Sequence, residues 1–186
     1  MVLASASPRR LSLLAQIGLV PDSVIAPDID ETPRSAEVPR LYVQRMATEK
    51  AAAASAPGSY VLAADTVVAL GRRILPKAAD AESVRACLAL LSGRRHQVLT
   101  ALVLIGPDGG RSLRVNTTAV AFARLTKSQI DAYAACGEGI GKAGGYAIQG
   151  RAAAFTRLLL GSYSGVVGLP LFEMAQLLRG RGYPVP

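Results

Sequence analysis

Val2-Leu3-Ala4-Ser5-Ala6-Ser7-Pro8-Arg9-Arg10-Leu11-Ser12-Leu13-Leu14 changes character three times within thirteen residues. A short apolar run gives way to small hydroxyl residues and a proline, and two arginines then lead into leucines. This order reads as strand, turn, helix. Ser7 suits a helix N-cap and Pro8 the first helical position, where its missing N–H would have had no partner anyway. Leu11, Leu14 and Ala15 repeat at helical spacing, and Gly18 is placed to stop the helix. The turn offers backbone N–H groups, hydroxyls and two guanidinium groups at the positive end of a helix dipole, a combination suited to phosphate. An ordinary amphipathic helix with solvated arginines fits these residues equally well, so the rest of the chain has to decide.

Downstream, Pro21 to Pro27 reads as a loop feeding a short strand, Ser23 to Ala26, and Asp28-Ile29-Asp30-Glu31-Thr32-Pro33 follows. That acidic cluster cannot be core; a solvated loop and an oxygen site for a divalent cation are both open. Pro39 opens a second helix with Leu41, Val43, Met46 and Ala47 on its apolar side, and Lys50 stands near its C-terminal end. Tyr60 to Leu70 is a continuous apolar run rich in β-branched residues, the pattern of a buried strand. Asp65 interrupts it. An aspartate there has to meet a cation, hydrogen-bond donors or a cleft, because an unpaired buried charge is heavily penalised, and this makes Asp65 the strongest single functional candidate.

Gly71-Arg72-Arg73 turns the chain into Ile74-Leu75-Pro76-Lys77, and Asp80 caps a third helix ending at Leu91. His96 to Ile105 and Ser112 to Arg124 form a β-hairpin around Gly106-Pro107-Asp108-Gly109-Gly110. Thr126 and Gln129 make a capping box for a fourth helix that reaches Ala135. Ala153 to Leu160 reads as a strand, followed by a glycine-serine loop and a last helix between Pro170 and Gly180. Strands and helices interleave throughout, which predicts an α/β fold with a mixed sheet, since the hairpin strands are antiparallel. Three familiar motifs fail on inspection. Gly139-Ile140-Gly141-Lys142-Ala143-Gly144 follows a helix rather than a strand, the same stretch lacks the residues of a Walker A loop, and Gly161-Ser162-Tyr163-Ser164-Gly165 has tyrosine where a hydrolase elbow needs serine.

The 186 residues suit one domain. No uncharged apolar stretch approaches the roughly 18 residues of a membrane span, and no basic segment precedes an apolar run as in a secretory signal, so a cytoplasmic protein is expected. Cys87 and Cys136 fall in helix-like segments and are expected to be buried thiols. His96 is the lone histidine, which removes multi-histidine metal sites within the chain and leaves oxygen ligands, hence magnesium or manganese. The 21 Lys plus Arg against 13 Asp plus Glu give a formal net charge of +8, which favours a polyanionic partner. The basic residues are dispersed and aromatics make up only 5%, a poor platform for stacking single-stranded bases, so a phosphorylated small molecule is expected rather than nucleic acid.

Taken together, Leu3 to Arg10, Asp30-Glu31-Thr32, Glu49-Lys50-Ala51, Ala64 to Val68, Leu91-Ser92-Gly93 with His96 and Thr100, Gly145 to Gly150, and Val167 to Leu171 resemble the Maf family in order and spacing along nearly the whole chain. The resemblance implies a single Maf-like domain over residues 1–186, with an inosine-triphosphatase-like fold: an elongated mixed β-sheet flanked by helices, in two lobes with a central cleft. It implies a nucleoside triphosphate pyrophosphatase that yields the monophosphate and pyrophosphate with a divalent metal, in a cytoplasmic homodimer. Gly145-Tyr146-Ala147-Ile148-Gln149-Gly150 is similar to the branch acting on dTTP and UTP. On this reading Ser5, Arg9, Lys50, Thr66, Lys77 and Gln149 bind substrate, Glu31 and Asp65 hold the metal, and Asp65 activates the water. The chain departs from the family at Pro76 and Lys77, Gly139, Ile140 and Leu160. The competing expectation is a regulator of septum formation that binds nucleic acid or a partner without essential catalysis; it would show steeply salt-dependent DNA binding and no pyrophosphate release.

Overall fold

The computed structural model describes residues 1–54 and 56–185. Its strands are β1 (Val2–Ala4), β2 (Ser23–Ile25), β3 (Val61–Leu70), β4 (Arg73–Leu75), β5 (Arg95–Ile105), β6 (Arg111–Phe122) and β7 (Thr156–Leu160). They form one sheet in the order β2-β1-β3-β5-β6-β7, with β4 also paired to β3. β1 runs parallel to β2 and β3, and the other pairings are antiparallel, so the sheet is mixed as the interleaved sequence predicts.

Helices cover both faces, which is why β3 reads as a continuous rather than an alternating apolar run. Against one face lies α2 (Pro39–Ala53), where Val43, Met46 and Ala47 pack on Val61, Ala63, Val67, Leu99 and Val103. The opposite face of the same strands, with Leu62, Ala64, Val68, Val98 and Leu102, packs against α1 (Pro8–Gln16), α3 (Ala81–Leu91) and later α6 (Leu171–Gly180) through Leu14, Leu88 and Met174. The remaining helices are α4 (Lys127–Ala135) and the short α5 (Tyr163–Val167). No helix among the described residues is long and apolar enough to cross a membrane.

β3 is the strand that positions the site. One of its edges is paired to β5 from Val61 to Ala69. Along the other edge, β1 accompanies Val61 to Ala63 and β4 accompanies Val68 to Leu70. Residues 64–67 therefore form a gap with no strand beside them on that edge, and Asp65 and Thr66 stand in it.

Several local expectations need revision. Ala153 to Ala154 is not strand: residues Arg151–Phe155 form a 3-10 turn, and the strand begins at Thr156, the first β-branched residue of the segment. The glycine-serine loop contains α5, capped by Ser162, whose hydroxyl accepts from the Gly165 N–H. Leu41 is exposed at 58%, and Tyr42 takes its place in the core. Ser7 occupies the N-cap of α1 with an extended backbone but makes no capping bond; its own N–H donates to Ser5 Oγ at 3.1 Å. Cys87 is buried as expected, whereas Cys136 is only half-buried. The capping box at Thr126 and Gln129 forms in full.

Candidate active site

The gap in β3 opens into a cleft of about 610 Å³, within the range of small-molecule sites. Asp65 points to the α2 side of the sheet, where Lys50, projecting from the last turn of α2, reaches its Oδ1 at 2.5 Å. Both side chains are buried, at 5% and 9% exposure, so the carboxylate that interrupts the apolar strand does meet a cation. Lys50 Nζ also contacts Glu31 Oε1 at 2.7 Å, and Lys77 Nζ pairs with the other oxygen of Glu31. Two carboxylates and two ammonium groups thus alternate as Asp65, Lys50, Glu31, Lys77, and the acidic loop is no mere solvated turn.

Electrostatics at this cluster follow from burial and pairing. Burial alone would raise the Glu31 carboxyl, but hydrogen bonds and charge from Lys50 and Lys77 outweigh it and hold the group below its usual value. Tyr42, whose hydroxyl donates to the Glu31 carbonyl at 2.9 Å, is pushed up to about 12 by burial and then by the negative charges of Asp65 and Glu31. The loop carrying Glu31 is itself tied down. Arg45 on α2 donates to Glu37 from Nε at 2.8 Å and from Nη2 at 2.7 Å, and to the Thr32 carbonyl at 3.1 Å. Nothing in the spacing of Arg45 marked it for this work, because its partners arise only when the loop folds back on the helix.

The other wall comes from the first turn and the glycine-rich segment. Arg9 and Lys142 both line the cleft. Burial depresses the guanidinium of Arg9, and burial together with the nearby charge of Arg9 depresses the ammonium of Lys142. Among the described residues neither cation is paired with a carboxylate, and two such charges facing one space make a demand for an anion. Arg10 lines the cleft too, but its guanidinium is tied to the protein: its Nε donates to the Gly168 carbonyl at 2.9 Å and its Nη1 to Ser5 Oγ at 2.8 Å. Ser5 is buried with its hydroxyl committed to Arg10 and to the Ser7 N–H, and it does not line the cleft, whereas Ala6, Ser7 and Pro8 do.

Thr66, Lys77 and Gln149 all line the cleft. Thr66, one residue after Asp65, faces the opposite side of the sheet, and the cleft lining it belongs to includes Val68, Val98, Tyr146 and Ala147. This apolar end is fixed by a buried contact between His96 Nε2 and the Tyr146 hydroxyl at 2.9 Å, while Tyr133 accepts the Ala147 N–H at 3.0 Å. The Gly137 to Gly150 segment is stitched to the chain around Lys77: the Ala78 N–H donates to the Lys142 carbonyl at 3.1 Å, and the Gly144 N–H to Pro76 at 3.1 Å. Lys77 thereby gains a defined position despite the altered Pro76-Lys77 order. Gly139 is also explained locally, since a Cβ there would overlap the carbonyl oxygen of Gly145. Leu160 and Ile140 are exposed at 61% and 43%, and the Ile140 carbonyl accepts from Lys142 Nζ at 3.3 Å. Lys142 was the residue sequence reasoning passed over; it lies inside a motif rejected for lacking strand context, and the rejection hid a basic residue in a glycine-rich loop.

The chain matches the family model described as Maf-like protein over residues 1–181. It is 61% identical to a dTTP/UTP pyrophosphatase of Gluconobacter oxydans, across 97% of this chain and 86% of that protein. A dTTP/UTP pyrophosphatase of Sphingopyxis alaskensis is 57% identical across all of this chain and 98% of its own length. Among solved structures, a HAM1 protein from Coxiella burnetii superposes with a TM-score of 0.54 over 96% of this chain and 98% of that one at 17% identity, a likeness of fold.

Proposed function

This chain belongs to the Maf family, and from that premise we propose that it is a nucleoside triphosphate pyrophosphatase that hydrolyses dTTP and UTP to the monophosphate and pyrophosphate. The observation that carries the reading is the buried Asp65 in the gap of β3, held by Lys50 at the floor of a cleft walled by Arg9, Lys77 and Lys142. A triphosphate satisfies the cations, and the isolated carboxylate gives a reason to cut it.

The whole chain, residues 1–186, acts as one catalytic unit. Arg9 and Lys142 take the phosphate oxygens, with the backbone of Ala6 to Pro8 beside them, and Ser5 acts indirectly by orienting Arg10 and the turn. Lys50 and Lys77 close on the phosphate chain from the other side. Asp65 accepts a proton from water as its oxygen attacks the α-phosphorus; the bond to the bridging oxygen breaks and pyrophosphate leaves with the electron pair. Gln149 presents an amide with donors and an acceptor to the base edge.

A divalent cation fits the donor set. Asp65 and Glu31 already converge on one positive charge, the Lys50 ammonium, and both offer oxygen, the ligand that magnesium and manganese prefer. Among the described residues no group of three potential ligand side chains exists, so phosphate oxygens and water would complete the coordination. When bound, such an ion supplies charge neutralisation to the leaving pyrophosphate. A homodimer in the cytoplasm is the setting we propose.

The test is a panel of nucleoside triphosphates incubated with the protein and magnesium or manganese. Equimolar monophosphate and pyrophosphate, fastest from dTTP and UTP and abolished by chelator, are expected. Release of orthophosphate instead, or no hydrolysis of any nucleotide, overturns the proposal. Light scattering at assay concentration reads the dimer directly.

A further inference from the structure

Thr66 lines the cleft, and its hydroxyl lies 2.9 Å from that of Thr100, directly opposite it on β5. Thr100 is buried at 1% exposure, and its hydroxyl donates to the Gly165 carbonyl at 2.8 Å. A hydroxyl has one proton. Since that of Thr100 is committed to Gly165, the proton shared between the two threonines has to come from Thr66. The chain of donation runs from Thr66 to Thr100 to Gly165, and it leaves Thr66 Oγ1 facing the cleft with lone pairs alone.

We infer that Thr100 is a positioning residue that fixes Thr66 as an obligate acceptor, and that this acceptor selects pyrimidines carrying a ring N3–H. Thr66 stands on the face of the sheet away from Asp65, and the cleft it shares is lined also by Val68, Val98, Tyr146 and Ala147, apolar surface on which a planar base can pack. A phosphate oxygen, itself an acceptor, would find no donor on Thr66 Oγ1. Uracil and thymine offer N3–H between two carbonyl groups and satisfy the acceptor. Cytosine presents an unprotonated N3, leaving two acceptors opposed in a partly desolvated slot. The apparatus that reads the base therefore extends beyond the cleft to a buried threonine and the carbonyl of α5.

This inference rests on the proposed pyrophosphatase activity, and its test keeps the two apart. Values of kcat/KM for UTP and CTP are compared in the wild type, Thr100→Val, Thr100→Ala and Thr100→Ser, with thermal melting to establish folding. The wild type should prefer UTP. In Thr100→Val, Thr66 is released to turn its proton toward the base, and the UTP-to-CTP ratio should fall about tenfold or more. Thr100→Ala removes the same hydroxyl without the branched side chain and should show the same fall, whereas Thr100→Ser keeps the relay and the ratio. A wild type that cleaves CTP as well as UTP overturns the inference while leaving the activity standing. So does a Thr100→Val or Thr100→Ala variant that folds and keeps the wild-type ratio. Failure of the wild type to cleave UTP at all counts against the pyrophosphatase reading itself.

Discussion

A lysine wedged between two carboxylates in a buried setting is hard to justify on stability grounds alone, because desolvating each charge costs several kcal/mol that pairing only offsets. At Lys50 the geometry is good and the donors are satisfied on both sides, yet the arrangement still calls for a function. If Asp65 is the general base, Asp65→Asn keeps the size and most contacts while removing the proton acceptor, and kcat should drop by about a hundredfold or more. A variant that still releases pyrophosphate at the wild-type rate would remove Asp65 from the mechanism. A second residue makes its case through pH. Burial lowers the imidazole of His96 to about 4, against an unfolded value near 6.5. Between those values the unfolded chain holds a proton that the folded chain lacks. The contribution is thus complete above about pH 6.5 and is lost as pH falls toward 4, at up to about 1.4 kcal/mol per pH unit. Urea unfolding should show the wild type losing about 2 kcal/mol between about pH 6.5 and pH 5, with His96→Gln losing much less. Equal losses would mean that another group governs acid sensitivity.

Among the elements, the loop of residues 31–37 is where sequence legibility ended. Its acidity was plain, and solvated loop and metal site were both open readings. The deciding fact is the fold-back that brings Glu31 to Lys50 and Lys77, and Arg45 produces it through Glu37, whose carboxyl those guanidinium hydrogen bonds hold down at about 2. Arg45→Ala should free the loop, lowering activity about tenfold with little change in the melting of the core, a pattern typical of partners that orient a site from behind it. Unchanged kinetics would show that Glu31 needs no such support. Gly144 gives a second test. Its φ of +67° disfavours other residues, and a Cβ there would come within 2.8 Å of Val68, which lines the cleft. Gly144→Ala should raise KM more than it lowers kcat, read from steady-state curves for UTP. Elements defined by period and punctuation, such as the capping box of α4 and the hairpin of β5 and β6, were legible because their causes are local. The 3-10 turn before β7 and the exposure of Leu41 were not, since tertiary packing decides both.

At the scale of the molecule, the charge of +8 could have signalled a nucleic-acid surface, and composition alone does not separate that from a small phosphorylated ligand. The cleft supports the small ligand, since Arg9, Lys50, Lys77 and Lys142 line one cavity. Attraction of a polyanion into that cavity is screened by salt, so kcat/KM for UTP should fall about three- to tenfold between roughly 20 and 200 mM monovalent salt. A flat dependence would assign the excess charge to solubility.

The missing neighbour along residues 64–67 of β3 bears on how such a site could ever be altered. Strands lengthen by whole residues, and each added residue turns the next side chain to the opposite face. Extending β1 by one residue would lay backbone beside Ala64; extending it by two would wall in Asp65, and there is no intermediate setting. The aperture in this sheet is quantised. Its width is changed only in discrete steps, so fine adjustment of the chemistry is left to the loops around the opening and the side chains they carry.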